Sequence, residues 1–224
     1  VLPDLETIIG QLERCYGRPE RASSRPDPVD ELIMTILSQN TSDTNTDRAF
    51  SGLKSAFANW QAVIDANTED VIEAIRPGGL ANQKAPRIQE VLSRIQEEHG
   101  DFDLGFLGNL PVGEAIQWLI RLPGVGRKTA ACVLLFSLDV PTMPVDTHVH
   151  RVALRLGLIP AGTNANDAHD LLGTGMSAQE TYDAHMLMIK HGRLTCKARN
   201  PRCADCELNN ECPSAAQLMT IGTR

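Results

Sequence analysis

Lys128 and Asp146 stand 18 residues apart in the stretch 121–151, RLPGVGRKTAACVLLFSLDVPTMPVDTHVHR. An amine and a carboxylate together can supply a nucleophile that forms a Schiff base and the group that helps deprotonate it. Lys128 follows LPGVG and opens an apolar run, which predicts a place in the first turn of a helix. A cation there opposes the helix dipole, and the same field, with partial burial, favours the neutral amine. The plainer reading is a surface lysine that contacts phosphate. Asp146, before THVHR, also reads as the N-cap of the next helix, and the two roles are compatible. A helix over 127–138 runs about 18 Å at ~1.5 Å per residue. The connector 139–145 spans up to about 23 Å at ~3.3 Å per residue, so the chain can return Asp146 to Lys128.

Four cysteines form a second constellation, Cys196, Cys203, Cys206 and Cys212, spaced C-x6-C-x2-C-x5-C. Between the first and the last, only Ala198, Ala204 and Leu208 are apolar besides the cysteines. Such a segment has no core of its own and needs ligands around a metal to organise it. Two disulfides suit a secreted chain, and the N-terminus VLPDLETIIG lacks the basic-then-apolar pattern of a signal peptide, although without an initiator Met the sequence reads as trimmed. A four-cysteine zinc site usually uses two short C-x2-C pairs far apart. A cubane iron–sulfur cluster fits the spacing best. With all four sulfurs used, no iron is open to substrate, so the cluster reads as scaffold. Lys197, Arg199 and Arg202 fall between the first two cysteines and read as a pinned basic finger for phosphates. Cys15 and Cys132 lie on apolar helical faces and are expected to be buried thiols.

The elements that must position these groups are helical. Of 224 residues, 42% are apolar but only 4% aromatic, which implies an aliphatic core. No stretch approaches 18 unbroken apolar residues, so no transmembrane helix is expected. The net charge of −7 by itself argues against a nucleic-acid partner. Its distribution does not. Residues 184–204 hold Lys190, Arg193, Lys197, Arg199 and Arg202 without an acid. Residues 120–138 hold Arg121, Arg127 and Lys128 without an acid, while the first 31 residues carry seven acids. A basic face on an acidic body accounts for this, as does a mixed solvated surface.

Apolar residues recur at helical spacing along the chain. Leu5, Ile8, Ile9 and Leu12 define a helix over 4–16 ended by Gly17, followed by a linker over 18–28. Asp27-Pro28 reads as an N-cap with Pro at N1, before a helix whose stripe is Val29, Leu32, Ile33, Ile36 and Leu37. After the polar SQNTSDTN come a helix carrying Ala49, Phe50, Leu53, Ala56 and Phe57, then short helices over 60–65 and 69–76. PGGLANQKAP (77–86) reads as a turn with an exposed Leu80. Ile88, Val91, Leu92 and Ile95 mark the next helix. Residues 113–122 and 127–138 read as two buried helices joined by LPGVG, in which Gly124 and Gly126 permit positive φ and close approach. Backbone N–H groups there can face phosphate, the helix–hairpin–helix pattern of sequence-independent DNA binding. Further helices follow over 146–156, 166–172 and 178–190. No period-2 strand pattern appears, so the class is all-α.

In one order along the chain, LPGVGRKTA, VDTH, HGR and C-x6-C-x2-C-x5-C resemble endonuclease III, the iron–sulfur branch of the helix–hairpin–helix DNA glycosylases, from about Val29 to Cys212. The resemblance implies two helical domains flanking a DNA-binding cleft, one over 29–140 with the hairpin, the other 1–28 plus 141–224 with a 4Fe-4S cluster. It implies that Lys128 is the nucleophile, Asp146 its carboxylate, and the four cysteines the cluster ligands. ILSQNTSD is similar to the segment whose amide fills the gap left by a flipped nucleotide, which points to Asn40 or Gln39. GGLANQKA is similar to the loop that wedges a leucine into the duplex, here Leu80; otherwise Leu80 is only a contact on the next helix. His148 matches a family histidine, and Arg127 and Arg193 join the DNA-facing set. A monovalent cation at the hairpin carbonyls is part of the same implication. The activity implied is that of a monomeric bifunctional glycosylase and abasic-site lyase on double-stranded DNA with oxidised pyrimidines. It needs no membrane and no nucleotide cofactor, and its place is cytoplasmic, or on the nucleoid in a bacterium. The alternatives are a monofunctional mismatch or adenine glycosylase and a non-catalytic iron–sulfur DNA-binding protein.

Overall fold

The structure is a computed structural model that describes residues 4–173 and 175–221. In chain order the helices are α1 (Leu5–Tyr16), α2 (Pro28–Leu37), α3 (Asp43–Ala56), α4 (Trp60–Asp65), α5 (Thr68–Ile75), α6 (Ala81–His99), α7 (Val112–Ile120), α8 (Arg127–Cys132), α9 (Thr147–Leu156), α10 (Ala165–Leu172), α11 (Ala178–Leu194) and α12 (Ala215–Ile221). No strand occurs among the described residues, so the fold is all-α. Among the described residues no helix is long and apolar enough to cross a membrane.

The chain divides into two units. The first is Arg25–Val140, which holds α2 to α8. Its core joins the stripe of α2 (Val29, Leu32, Ile33, Ile36, Leu37) to Ile88, Val91, Leu92 and Ile95 of α6 and to Ala130, Val133 and Leu134 after the hairpin. Asp27 caps α2 through Val29 N–H and Asp30 N–H, with Pro28 at the first helical position, an entry that leaves no orphan donor to Pro. Arg25 pairs with Asp139 at 2.7 Å, so the chain enters this unit before α2 begins.

The second unit takes the chain up to Ser24 together with the chain from Pro141. Ile8 and Leu12 of α1 pack with Val149, Val152, Ala153 and Leu156 of α9 and with Ala184, Leu187 and Met188 of α11. A capping box at Ser177 and Glu180 starts α11, satisfying two donors reciprocally. Cys196, Cys206 and Cys212 pack on the edge of this core.

Several expectations need correction. Residues 81–86 are not part of a turn: α6 begins at Ala81 and carries Pro86 inside it. As the sixth residue of α6, Pro86 removes the N–H that would otherwise donate to the Asn82 carbonyl. Helix α7 is not buried all round; Ala115 and Leu119 are buried while Val112 is 40% exposed, because the helix packs by one face only. The second helix of the hairpin is α-helical only through Cys132 and continues as a π-helical turn, Val133–Ser137. Cys132 is buried as expected, but Cys15 is exposed: in the last turn of α1 it is Tyr16 that packs on the core, its hydroxyl meeting His191 and Thr195.

Candidate functional site

Within Arg25–Val140, α7 and α8 are joined by a tight hairpin. Val125 N–H donates to the Leu122 carbonyl at 3.1 Å, closing a turn in which Gly124 has φ +73°. Gly124 is also crossed by Arg87 of α6. A Cβ at this position would lie 2.6 Å from Arg87 Cδ and Nε. Gly126 is the N-cap of α8, and no side chain caps that helix start.

Lys128 is the second residue of α8 and is half-buried. Its amine has no hydrogen-bond or ion-pair partner among the described residues. It interacts electrostatically with a carboxyl of α2. Glu31, one turn before Thr35, is partly buried and accepts from Thr35 Oγ1 at 3.1 Å. Burial pushes the Glu31 carboxyl up to about 7, against the pull of the Thr35 hydroxyl and the Lys128 ammonium. Sequence reasoning missed Glu31 and counted it only among the acids of the first 31 residues. Its position beside the buried stripe residue Leu32 was the available signal.

The two segments expected to enter a duplex lie at opposite ends of a short path through α6. The turn after α2 places Gln39 half-buried, with its Oε1 accepting from Arg87 Nη1 at 3.2 Å. Asn40 is exposed, with φ +56°. Leu80 is 46% exposed, with φ +51°. A leucine in the left-handed region costs roughly 1–2 kcal/mol, so two exposed, strained tips mark this face.

In the second unit Asp146 caps α9. Its Oδ1 accepts from His148 N–H at 2.8 Å and Val149 N–H at 2.7 Å. The second carboxylate oxygen has no partner among the described residues, which makes the cap and a reactive role compatible in one side chain. Arg151 Nη2 donates to His148 Nδ1 at 3.0 Å. A guanidinium cannot accept, so Nδ1 is the acceptor and the ring proton sits on Nε2. Gly192 of the HGR sequence lets α11 meet this turn: a Cβ there would lie 2.9 Å from His148 Cβ.

Cys196, Cys203, Cys206 and Cys212 line one cavity with Arg155 and His191. Burial pushes the Cys206 thiol up to about 11 and raises Cys203 and Cys212; neighbouring cysteines add to each rise, so the sulfurs are mutually close. Desolvated thiols of this kind need added positive charge to ionise. Arg155 Nη1 donates to Cys196 Sγ at 3.3 Å, and His191 Nε2 lies 3.9 Å from Cys206 Sγ. His191 is buried, which drives its imidazole down to about 4 and keeps it neutral. Among the described residues no three His, Cys, Asp or Glu side chains stand close enough to share a single metal ion. The donor set, all thiol and spread around a cavity, fits a group larger than one ion. Lys197, Arg199 and Arg202 form an exposed loop beside it, and Arg202 is tied to Asp205 at 3.4 Å. Arg193 is exposed at the end of α11.

Residues 33–172 match the model of an HhH-GPD superfamily base excision DNA repair protein. Over 187 residues the chain is 37% identical to an Arabidopsis thaliana protein provisionally named a DNA glycosylase, covering 84% of the chain but only 61% of that relative. It is 35% identical to endonuclease III of Thermotoga maritima over 208 residues, 93% of the chain and 92% of the relative. Endonuclease III of Escherichia coli is 33% identical over 205 residues, 92% of each. Among solved structures, a non-covalent endonuclease III–DNA complex superposes with a TM-score of 0.81 at 26% identity, covering 96% of this chain and 97% of that one. A trapped endonuclease III–DNA covalent intermediate gives 0.79 at 27% identity, covering 97% and 99%.

Proposed function

We propose a function from one premise: the chain belongs to the HhH-GPD superfamily of base excision DNA repair proteins, and within it to the endonuclease III family. The function is that of a bifunctional DNA glycosylase and abasic-site lyase acting on double-stranded DNA that carries oxidised pyrimidines. The hairpin Leu122–Gly126, with Arg127 beside it, takes the phosphate backbone without reading sequence, and its carbonyls take a monovalent cation. The damaged nucleotide leaves the stack at a cost of about a few kcal/mol, and Leu80 and Asn40 fill the gap. Asn40 is assigned the insertion because the Gln39 amide oxygen is already bonded to Arg87. His148, Arg193, Lys197, Arg199 and Arg202 hold phosphates on the other unit.

The amine of Lys128, deprotonated with help from Asp146, attacks C1′, and the base leaves with the electron pair of its glycosidic bond. The free oxygen of Asp146 balances positive charge developing on the sugar, as carboxylates do at oxocarbenium-like states, and assists removal of the amine proton. Opening of the sugar gives an imine between C1′ and Lys128. Loss of a C2′ proton then breaks the C3′–O bond, and water hydrolyses the imine. Cys196, Cys203, Cys206 and Cys212 hold a 4Fe-4S cluster that crosslinks the segment 196–212 and supplies no step of the reaction. The protein acts as a monomer in the cytoplasm, or on the nucleoid of a bacterium.

The observation that carries this reading is the half-buried, unpartnered amine of Lys128 at the start of α8. The similarity to a trapped endonuclease III–DNA covalent intermediate supports a covalent step with DNA. Borohydride reduction in the presence of abasic duplex DNA tests it. A covalent adduct is expected from the unaltered chain and none from Lys128→Ala. Asp146→Asn, which keeps the cap because Asn caps as well as Asp, is expected to abolish excision and retain DNA binding. An adduct that survives Lys128→Ala refutes the assignment.

A further inference from the structure

Lys84 is 2% exposed and has no counter-ion among the described residues. Its Nζ donates to the Leu37 carbonyl at 2.6 Å and to the Gly78 carbonyl at 2.9 Å. A buried ammonium without a carboxylate is expensive, so its presence calls for a task that an apolar side chain would not perform. The two carbonyls identify the task. Leu37 ends α2, and the next three residues are the turn that carries Gln39 and Asn40. Gly78 ends a 3-10 turn, and two residues later comes Leu80. Both exposed tips, Asn40 and Leu80, have left-handed backbone. One nitrogen therefore bonds the base of each.

The surroundings agree. A Cβ on Gly78 would lie 2.9 Å from Ala49 Cβ and 3.9 Å from the Leu37 carbonyl oxygen, so the Leu80 loop rests directly on the end of α2. One turn further along α6, Arg87 bonds Gln39 and crosses Gly124 of the hairpin. Two hydrogen bonds to one buried nitrogen remove the freedom of the loops to move apart, and ordering paid in advance is not paid again on binding.

We propose that Lys84 is a positioning residue that fixes the separation of Leu80 and Asn40, so that both enter the duplex together when the nucleotide leaves the stack. This rests on the function proposed above, in which those two side chains fill the gap. Its consequence is selective. Excision from a duplex needs the gap filled; imine formation on a single-stranded abasic oligonucleotide does not.

The test combines single-turnover excision from a lesion-bearing duplex with borohydride trapping on single-stranded abasic DNA. Lys84→Met is expected to slow duplex excision about tenfold or more and to leave single-strand trapping within about twofold. In a Leu80→Ala background the Lys84→Met penalty is expected to shrink to about threefold or less, because residues acting as one unit are not additive. A second variant guards against misfolding of the first. Gly78→Ala leaves the amine in place but drives the loop off Ala49, and it is expected to show the same selectivity. Independent, additive losses from Lys84→Met and Leu80→Ala, or equal losses on duplex and single strand from both Lys84→Met and Gly78→Ala, overturn the role of Lys84. Those outcomes leave the lyase reading intact so long as the unaltered chain still traps abasic DNA; failure of that trapping overturns both.

Discussion

Glu31→Gln should make the protein more stable, and only on the alkaline side of its titration. The carboxyl is held at about 7 in the folded chain, against a value of 4.5 when free. Below about pH 4.5 it is protonated in both states and its burial costs nothing. Between 4.5 and 7 the unfolded chain ionises while the folded chain stays protonated, so folding takes up a proton and stability falls as pH rises. Above 7 the full difference is in force. A separation of about 2.5 units, at 1.36 kcal/mol each, amounts to about 3 kcal/mol at most. Gln keeps an amide oxygen for the Thr35 hydroxyl and cannot ionise. For a chain of this size, 1 kcal/mol moves the melting temperature by roughly 2–4 °C, so the variant should melt about 6–12 °C higher at pH 8 and little differently at pH 5. Thermal unfolding of both proteins across that range gives the difference directly and cancels every other titrating group. A melting-temperature difference that stays constant from pH 5 to 8 would show that Glu31 does not sit in the environment described.

Leu80→Gly is expected to raise stability by up to about 1 kcal/mol, because glycine carries no penalty at φ +51°, while slowing excision; denaturant unfolding and single-turnover kinetics measure the two. Gly192→Ala should cost about 1–3 kcal/mol, since its methyl group meets His148 Cβ at 2.9 Å between two packed helices, seen as a lower melting temperature. Removing a cluster ligand with Cys206→Ala should abolish bound iron and visible absorbance and open residues 196–212 to protease, because only Leu208 of that segment is apolar and fully buried.

The helices and their starts were legible because they rest on local rules. The stripes of α2, α6 and α9 follow the 3.6-residue period, and Asp27-Pro28 and Asp146 are caps whose chemistry is written in two residues. Lys128 and the four cysteines were legible through motif spacing. What escaped depends on neighbours distant in sequence. Lys84 lies in the polar run ANQKAP and reads as a turn residue; nothing local reveals that two carbonyls from elsewhere await its amine. Glu31 becomes a buried acid only once α8 covers it. The π-helical turn after Cys132 answers to packing rather than to propensity. Cys15 shares the apolar spacing of α1, yet Tyr16 beside it is the residue that packs on the core. Gly124 was read as a position for positive φ and close approach; that the side chain of Arg87 is what approaches it required the fold.

The cap carboxylate of Asp146 stands just before the first residue of helix α9, and the helix grips the cysteine loop further along. Arg151 Nε donates to the Cys196 carbonyl at 2.9 Å, and Arg155 Nη1 donates to the Lys197 carbonyl at 2.7 Å. These grips share one side because their spacing of four suits a helix turning about 100° per residue. The helix therefore tolerates exchange of its outward residues but not a change in count. Deleting one residue between Asp146 and Arg151 would swing both arginines by about 100° and release the loop, whatever residue was lost. Length, more than composition, is what inheritance must keep between Asp146 and Arg155. The widened turn at Val133–Ser137 lies after Lys128 and is a place where a length change can be absorbed.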